Sequence, residues 1–195
     1  MKYNIIEIIK ILTKKNYKIF SNPYSLNLIG IRAANPIVDR FNDILSTFYM
    51  YDGKLDYREF VVTTLPGLYY LEKPMNSNGC AIVKEGQYQG MWAIGKHFTQ
   101  TALVQVKPCT VIRDDDKDDV YDFENGKEET GIFAINCHRK EAPGISEFIS
   151  QSSAGCTVMA DHDRFDKEFM PLCQTCANVC GNSFTYTLIN EKDFL

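Results

Sequence analysis

From residue 58 onward the chain contains a succession of short apolar runs, and this pattern constrains the fold more than any other feature. The runs are rich in β-branched and aromatic residues and are divided by Gly, Pro or Asn. They are REFVVTTL, GCAIVKEG, MWAIGKHF, ALVQVKPCTVIRD and TGIFAINCH, followed near the end by SFTYTLINEKDF. Such runs favour strands, and the dividing residues favour turns. We therefore predict a mainly β main domain over residues 58–195, a β-sandwich or barrel.

Helical spacing predicts three helices around these strands. The first has a broad apolar face made of Ile5, Ile6, Ile8, Ile9 and Leu12. The second follows the turn-rich segment SNPYSLNLIGIRAANP and is indicated by Ile37, Phe41, Ile44, Leu45 and Phe48. The third is RFDKEFMPLCQTCANVC, ended by Gly181. We expect residues 1–57 to form a helical arm and linker that packs on the main domain, giving an α+β chain overall.

The composition excludes several classes of function. The 195 residues are 45% hydrophobic and 24% charged, the balance of a globular protein. A net charge of -4 argues against a nucleic-acid-binding protein. No apolar stretch is long enough for a transmembrane helix, and Glu7 and Lys10 interrupt the N-terminal apolar run, unlike a signal peptide. We expect a protein made in the cytoplasm, with its seven cysteines mostly as thiols.

His138 and Cys156 are the candidate catalytic pair. His138 ends the predicted strand TGIFAINCH, and Cys156 follows 18 positions later in the turn Ser153-Ala154-Gly155-Cys156. Thiol catalysis needs a reactive thiolate, a base that takes its proton, and donors that face the developing oxyanion. A histidine suits the base, and the small residues before Cys156 let backbone N–H groups approach a substrate carbonyl. We expect the pKa of Cys156 to be lowered and its alkylation to be fast; the alternative is a buried, unreactive cysteine in a packed turn.

These residues resemble the catalytic motif of the L,D-transpeptidase family of bacterial cell-wall enzymes. In that family a strand ends in His and is followed, after a gap, by Ser/Thr-His-Gly-Cys. The resemblance covers residues 58–195 and implies that Cys156 attacks peptidoglycan stem peptides, that His138 is its base, and that Ser153 and Gly155 shape the turn. It implies no cofactor and no metal. Acting on the cell wall from the cytoplasm requires release or delivery, as for a phage lysis protein (an endolysin) or a cell-wall toxin.

Three positions depart from the family motif, and two of them, Ala154 and Arg139, are candidate substrate contacts. Ala154 stands where the family has a histidine, Arg139 where it has a small residue, and Val158 where it has an arginine. Arg139 is a candidate to bind a stem-peptide carboxylate, because a guanidinium binds carboxylates in a bidentate manner; a structural ion pair is the alternative. His97 and Trp92 share a predicted strand and are further candidates to line the substrate cleft, although His97 also suits a hydrogen-bonded edge position.

Two other clusters suggest metal sites, each with a simpler explanation. Aspartates alternate in RDDDKDDVYDFEN as in an EF-hand loop, at Asp114, Asp116, Asp118 and Asp122. Asp119 and Asn125 replace the glycine and glutamate that such a loop requires, so an acidic hairpin loop is favoured. Cys173, Cys176 and Cys180 share one helix face but lack a fourth ligand unless Cys109, Cys137 or His162 approaches. The alternatives to an enzyme are a non-catalytic β-sandwich binding module of a phage or cell-wall assembly, and an interaction module stabilised by a metal on the clustered cysteines.

Overall fold

A computed structural model describes residues 1–124 and 126–195 and shows a mainly β chain built on a closed barrel of eight strands. The barrel strands are β1 (Asn27–Arg32), β2 (Asp43–Tyr51), β3 (Lys54–Thr63), β5 (Gly86–His97), β6 (Gln100–Gln105), β9 (Cys137–Arg139), β10 (Thr157–Met159) and β11 (Phe184–Asn190). Their order around the barrel is β1-β11-β5-β6-β9-β10-β3-β2. The predicted mainly β fold is confirmed, and its main sheet closes into a barrel, so that each of these eight strands is paired on both sides.

A second sheet of three antiparallel strands lies beside the barrel. It consists of β4 (Cys80–Val83), β7 (Cys109–Asp114) and β8 (Lys127–Gly131), in the order β4-β7-β8. Buried residues of β4 and β7 belong to the same apolar core as the barrel interior, which includes Phe60, Trp92 and Tyr186. The small sheet therefore closes one side of the main core.

The helices lie at the two ends of the chain, with one short helix between them. They are α1 (Ile5–Lys14), α2 (Leu68–Glu72), α3 (His162–Arg164) and α4 (Met170–Cys180). A π-helical turn over Phe165–Phe169 joins α3 to α4, and a 3-10 turn over Glu191–Phe194 ends the chain. Asp161 caps α3 by accepting from the N–H groups of Asp163 and Arg164. No helix of the described residues is both long and apolar enough to cross a bilayer.

The helix predicted from Ile37 to Phe48 is wrong, because this segment contains β2. The cause is burial on both faces of the strand. Leu45 packs into the barrel interior, whereas Ile44 and Phe48 pack outward against a second apolar cluster that α1 completes. A strand that is apolar on both faces loses its alternating pattern, and its apolar residues then coincide with helical spacing.

Two further predictions are corrected by the strands. The segment SNPYSLNLIGIRAANP, predicted to be rich in turns, contains β1, which pairs in parallel with β11 and antiparallel with β2. The run TGIFAINCH is not one strand: β8 ends at Gly131 and β9 begins at Cys137. Gln105 holds the connection between them, because its Oε1 accepts from the N–H groups of Phe133 and Ile135 at 2.9 Å each. This connection passes directly beside Cys156.

Candidate active site

The turn that carries Cys156 is fixed by Ser153 and Gly155. The buried Ser153 hydroxyl donates to the Cys156 carbonyl at 2.9 Å and accepts from the Gly155 N–H at 3.2 Å. Gly155 has a φ of +124°, and a Cβ at this position would lie 2.4 Å from the carbonyl oxygen of Ala81. A larger residue would meet backbone there, so glycine is required. Both residues therefore shape the turn that leads into β10.

Cys156 itself is buried, with 9% of its surface exposed. The Asn136 N–H donates to its Sγ at 3.4 Å, and the thiol donates to the carbonyl oxygen of Ala134, also at 3.4 Å. Ala134 has a φ of +58°, a strained conformation for a residue with a side chain. Burial raises the pKa of Cys156 to about 11, opposed by the hydrogen bond from Asn136. The lowered pKa expected for this thiol is therefore wrong for the free chain.

His138 lies on β9, directly beside the strand that follows Cys156. Parallel pairing places Cys137 opposite Thr157 and His138 opposite Val158. The Nδ1 atom of His138 is 2.9 Å from the carbonyl oxygen of Arg139. Because a carbonyl can only accept, Nδ1 carries the proton, and Nε2 carries a lone pair. Burial, with a smaller effect of His97, lowers the pKa of His138 to about 4, so the ring is a neutral base at neutral pH.

His97 is held in the opposite tautomer by Asn136. The Gln105 N–H donates to Asn136 Oδ1 at 2.8 Å, which identifies the other end of this side chain as the NH₂ group. That Nδ2 lies 2.9 Å from Nδ1 of His97 and donates to it. His97 therefore carries its proton on Nε2. Sequence reasoning missed Asn136, whose only signal was its position two residues before His138.

The two imidazoles stack at the edge of a cavity of about 710 Å³. Their centroids are 4.1 Å apart and their planes are inclined by 21°. The cavity is lined by His97, Phe98, Gln100, His138, Arg139, Lys140, Glu141, Ala142, Ser150, Gln151 and Ser152. One ring thus brings a lone pair to this site, and the other brings an N–H donor. Such a pair can accept a proton and stabilise a developing negative charge.

The structure brings His97, His138 and Arg139 together, and it places Cys156 in the adjoining turn. Ser152, at the start of that turn, reaches the cavity, whereas Cys156 is not among its lining residues. No hydrogen bond within the described part of the chain joins the Cys156 thiol to the His138 ring. The resting arrangement is a neutral thiol next to a site that holds a neutral base.

The remaining predicted substrate contacts are distributed over three places. Arg139 lines the cavity and also pairs with Asp166, with Nε 2.9 Å from Oδ2. Ala154 lines a different cavity of about 250 Å³, together with Ala81 and Phe133. Trp92 is fully buried, donates from Nε1 to the Ile135 carbonyl at 2.7 Å and stacks on Tyr186. The structure thus gives Trp92 a position in the core, without exposed surface.

The suggested metal sites have no matching geometry in residues 1–124 and 126–195, where no group of three or more His, Cys, Asp or Glu side chains is arranged to hold an ion. Cys173 and Cys176 are buried, whereas Cys180 is exposed and donates to the Pro23 carbonyl at 3.4 Å. In the aspartate-rich loop, Asp114 is turned inward and accepts from the Asp122 N–H at 3.0 Å. Asn125, the last position of the predicted loop, lies outside the described residues.

Comparisons with protein-family models, with curated proteins and with solved structures give no match to this chain. The likeness to the L,D-transpeptidases therefore rests on the residues around His138 and Cys156.

Proposed function

We propose that this chain is a cysteine-dependent acyl-transfer enzyme that acts on peptidoglycan stem peptides, as a peptidase or a transpeptidase of the L,D-transpeptidase kind. One observation carries the proposal. His138, a neutral base with a bare Nε2, stacks on His97, a ring with an Nε2–H, at the end of the strand beside β10 and the turn of Cys156. A purely structural pair of histidines does not require complementary tautomers that face one cavity.

The chemistry follows from the neutral resting state. As Sγ of Cys156 attacks the scissile carbonyl, His138 Nε2 accepts the thiol proton, and negative charge develops on the carbonyl oxygen. Collapse of the tetrahedral intermediate breaks the C–N bond, and the leaving amine takes the proton from His138. Water or a second amine then resolves the thioester by the same steps in reverse. Proton transfer accompanies the attack, because the raised pKa of the buried thiol disfavours a preformed thiolate.

Two N–H groups, the backbone N–H of Cys156 and the Nε2–H of His97, are suited to stabilise the oxyanion. The Gly155 N–H is taken by Ser153, which makes it a positioning group. The Cys156 N–H forms no hydrogen bond with any residue that the structure describes, and His97, whose Nε2 carries a proton, lines the cavity. The mechanism also requires Sγ to give up its hydrogen bond to Ala134, so the proposal includes a small shift of the strained 132–136 connection when substrate binds.

The cavity has groups that can bind a peptide with a free carboxylate, although Glu141 adds one acidic group to its lining. Arg139 and Lys140 supply cationic groups, while Gln100, Gln151 and Ser152 supply hydrogen-bonding groups for a peptide backbone. Stem peptides carry free carboxylates that a guanidinium can bind. Action on the cell wall would follow release or delivery of the chain, as for a phage endolysin or a toxin directed at rival cells.

The test is incubation of the protein with disaccharide tetrapeptide and with peptide dimers, followed by mass analysis of products and of the intact protein. We expect cleaved or exchanged peptides and an acyl adduct on Cys156. Cys156→Ala should abolish both, and Cys180→Ser, a change at the exposed thiol, should leave both unchanged. Products from Cys156→Ala equal to those of the wild type would overturn the proposal; product masses distinguish hydrolysis from exchange.

A second candidate function, a non-catalytic β-barrel that binds a cell-wall or virion partner, is favoured by one observation, the burial of Cys156. Alkylation does not separate the two candidates, because the neutral thiol should react slowly with iodoacetamide in both, and the exposed Cys180 should react first. The adduct experiment does separate them. Saturable binding of the tetrapeptide with neither products nor an adduct would identify the binding module.

A further inference from the structure

The most informative feature outside the histidine site is a buried arginine that faces a second cavity. Arg32, at the end of β1, is 2% exposed. Its Nε donates to Thr64 Oγ1 at 3.0 Å, and its Nη2 donates to the carbonyl oxygens of Thr64 and Val83 at 3.2 and 2.8 Å. Its Nη1 has no hydrogen-bond partner among the residues described. Arg32 therefore retains a free pair of N–H donors.

The charge of Arg32 is balanced only indirectly. Thr64 Oγ1 donates to Oδ2 of the buried Asp43 at 2.7 Å, so the hydroxyl separates the guanidinium from the carboxylate. No carboxylate of the described chain lies within ion-pair distance of Arg32. A buried guanidinium is stabilised most by an oxyanion placed in the plane of its donors. Asp43 does not occupy that position, since it is held on the far side of Thr64.

The cavity that Arg32 lines has a volume of about 570 Å³, within the usual range for small-molecule sites. Its lining residues are Lys15, Tyr17, Arg32, Ala33, Ala34, Pro36, Lys84, Glu85, Ile112, Phe123, Glu124, Asn190, Lys192 and Asp193. Phe123 lies against the guanidinium, with its ring centroid 5.4 Å from Cζ. Together with Tyr17, Pro36 and Ile112, this ring gives the cavity an apolar wall.

Three acidic residues line the cavity: Glu124 is exposed, and the other two are engaged with neighbouring groups. Asp193 pairs with Lys15, with Oδ1 2.8 Å from Nζ, and Glu85 accepts from Asn190 Nδ2 at 2.9 Å. Lys192, in contrast, has no ion pair in the part of the chain that the structure describes. Among the described lining residues, the cations without a direct counter-ion are therefore the buried Arg32 and Lys192.

We propose that this cavity binds a small organic oxyanion, a carboxylate or a phosphate monoester on an apolar or aromatic body, with the oxyanion on Nη1 of Arg32 and the body against Phe123. The site is separate from the histidine cavity, with no lining residue in common. It therefore does not depend on the proposed acyl-transfer activity.

The test is titration of the intact chain with benzoate, phenyl phosphate and the neutral analogue benzamide, followed by amide chemical shifts in NMR spectra. We expect saturable shifts around Arg32 and Phe123 for at least one anion, and none for benzamide. The tighter anion identifies the class, carboxylate or phosphate. Lys192→Gln, a change of an unpaired cation, should weaken binding several-fold, and Ala34→Leu should block it by filling the cavity.

Arg32→Lys tests the buried donor directly. If Arg32→Lys does not fold, Lys192→Gln and Ala34→Leu still test the proposal. The proposal would be overturned if neither anion gave saturable shifts at this cavity. It would also be overturned if benzamide bound equally well, or if Ala34→Leu and Lys192→Gln both bound the anions as the wild type does. Because the readout is binding, failure here is distinct from failure to find products in the stem-peptide assay.

Discussion

The two cavities of this chain have comparable volumes, about 710 and 570 Å³, but the buried polar groups that line them differ in charge. The first holds two neutral imidazoles, one with a bare nitrogen and one with an N–H. The second holds a guanidinium that keeps its charge throughout the physiological range. A neutral base beside a donor is suited to moving a proton, and a fixed cation is suited to holding an anion in place. The chemistry of each site therefore depends on whether its buried polar side chains are neutral or charged in the folded chain.

The largest effect should come from removing the base of the first cavity. His138→Gln retains a polar side chain of similar size but cannot accept the thiol proton. We expect kcat/KM on stem peptides to fall by a factor of about 10² to 10⁴, the usual contribution of a general base. Arg32→Lys, a change at the second cavity, should leave this rate within about twofold if it folds, because nothing in the second cavity takes part in proton transfer. An equal loss in both variants would show that the cavities are not separate.

Gly155→Ala should be the most destabilising single change near the first cavity. The new Cβ would lie 2.4 Å from the Ala81 carbonyl oxygen, at a φ of +124° that residues with side chains avoid. We expect the free energy of unfolding to fall by about 2–4 kcal/mol, measured by denaturant titration. Gly144→Ala is the matched control, because that glycine also has a positive φ but nothing within 4 Å of its Cβ position. Equal losses would show that φ alone, and not the contact with Ala81, limits the turn.

Acid should weaken the fold through His138. Unfolded, this histidine binds a proton near pH 6.5, whereas in the fold its pKa is about 4. Protonation therefore favours the unfolded chain, and the stabilisation present above pH 6.5 is lost as the pH falls toward 4. The effect is on the order of 2–3 kcal/mol.

Asp114 acts in the opposite direction, so the experiment must separate the two groups. Burial raises its pKa to about 6, so the folded chain binds this proton more readily than the unfolded chain, and acidification favours the fold. Denaturant titrations between pH 7 and 4 should show a smaller acid loss for His138→Gln than for the wild type, and a larger one for Asp114→Asn. An unchanged acid loss in His138→Gln would contradict the account of a buried neutral ring.

The smallest expected effect is a gain in the free energy of unfolding. Ala134 has a φ of +58°, so Ala134→Gly should relieve strain in the connection that covers Cys156. Relief of about 1–2 kcal/mol, less the entropy cost of glycine, leaves a net gain of about 0.5–1 kcal/mol. Thermal unfolding measures it. A loss of stability would show that the left-handed backbone at this position carries no strain.

How much of the fold could be predicted from the sequence depended on whether one face or both faces of each strand are buried. Runs such as GCAIVKEG were predicted correctly as strands because turn residues bound them on both sides. Residues 37–48 were predicted as a helix because α1 covers the outer face of β2, which removes the alternation of apolar and polar residues. The strand β1 was missed because all six of its residues are buried and turn residues surround it.

In the candidate site, too, the sequence did not indicate features that depend on contacts between distant residues. His138 and Cys156 were predicted from their motif to be a catalytic pair, which stays a prediction; the structure places them on adjoining segments of neighbouring strands. Asn136 could not be identified, because its role depends on Gln105, a residue 31 positions away that fixes its amide. The position of Trp92 in the core was likewise not readable, since an aromatic residue in a strand suits either face. Tautomers and burial are properties of the folded chain.

The most direct test of the central claim is the protonation of the four imidazole nitrogens of His97 and His138 at pH 7, read from long-range ¹H–¹⁵N NMR spectra. The account predicts a protonated Nδ1 and bare Nε2 in His138, and a bare Nδ1 and protonated Nε2 in His97. Asn136→Ala should release only the His97 tautomer. Identical tautomers in the two rings, or a doubly protonated His138, would contradict the claim that this cavity holds a base beside a donor.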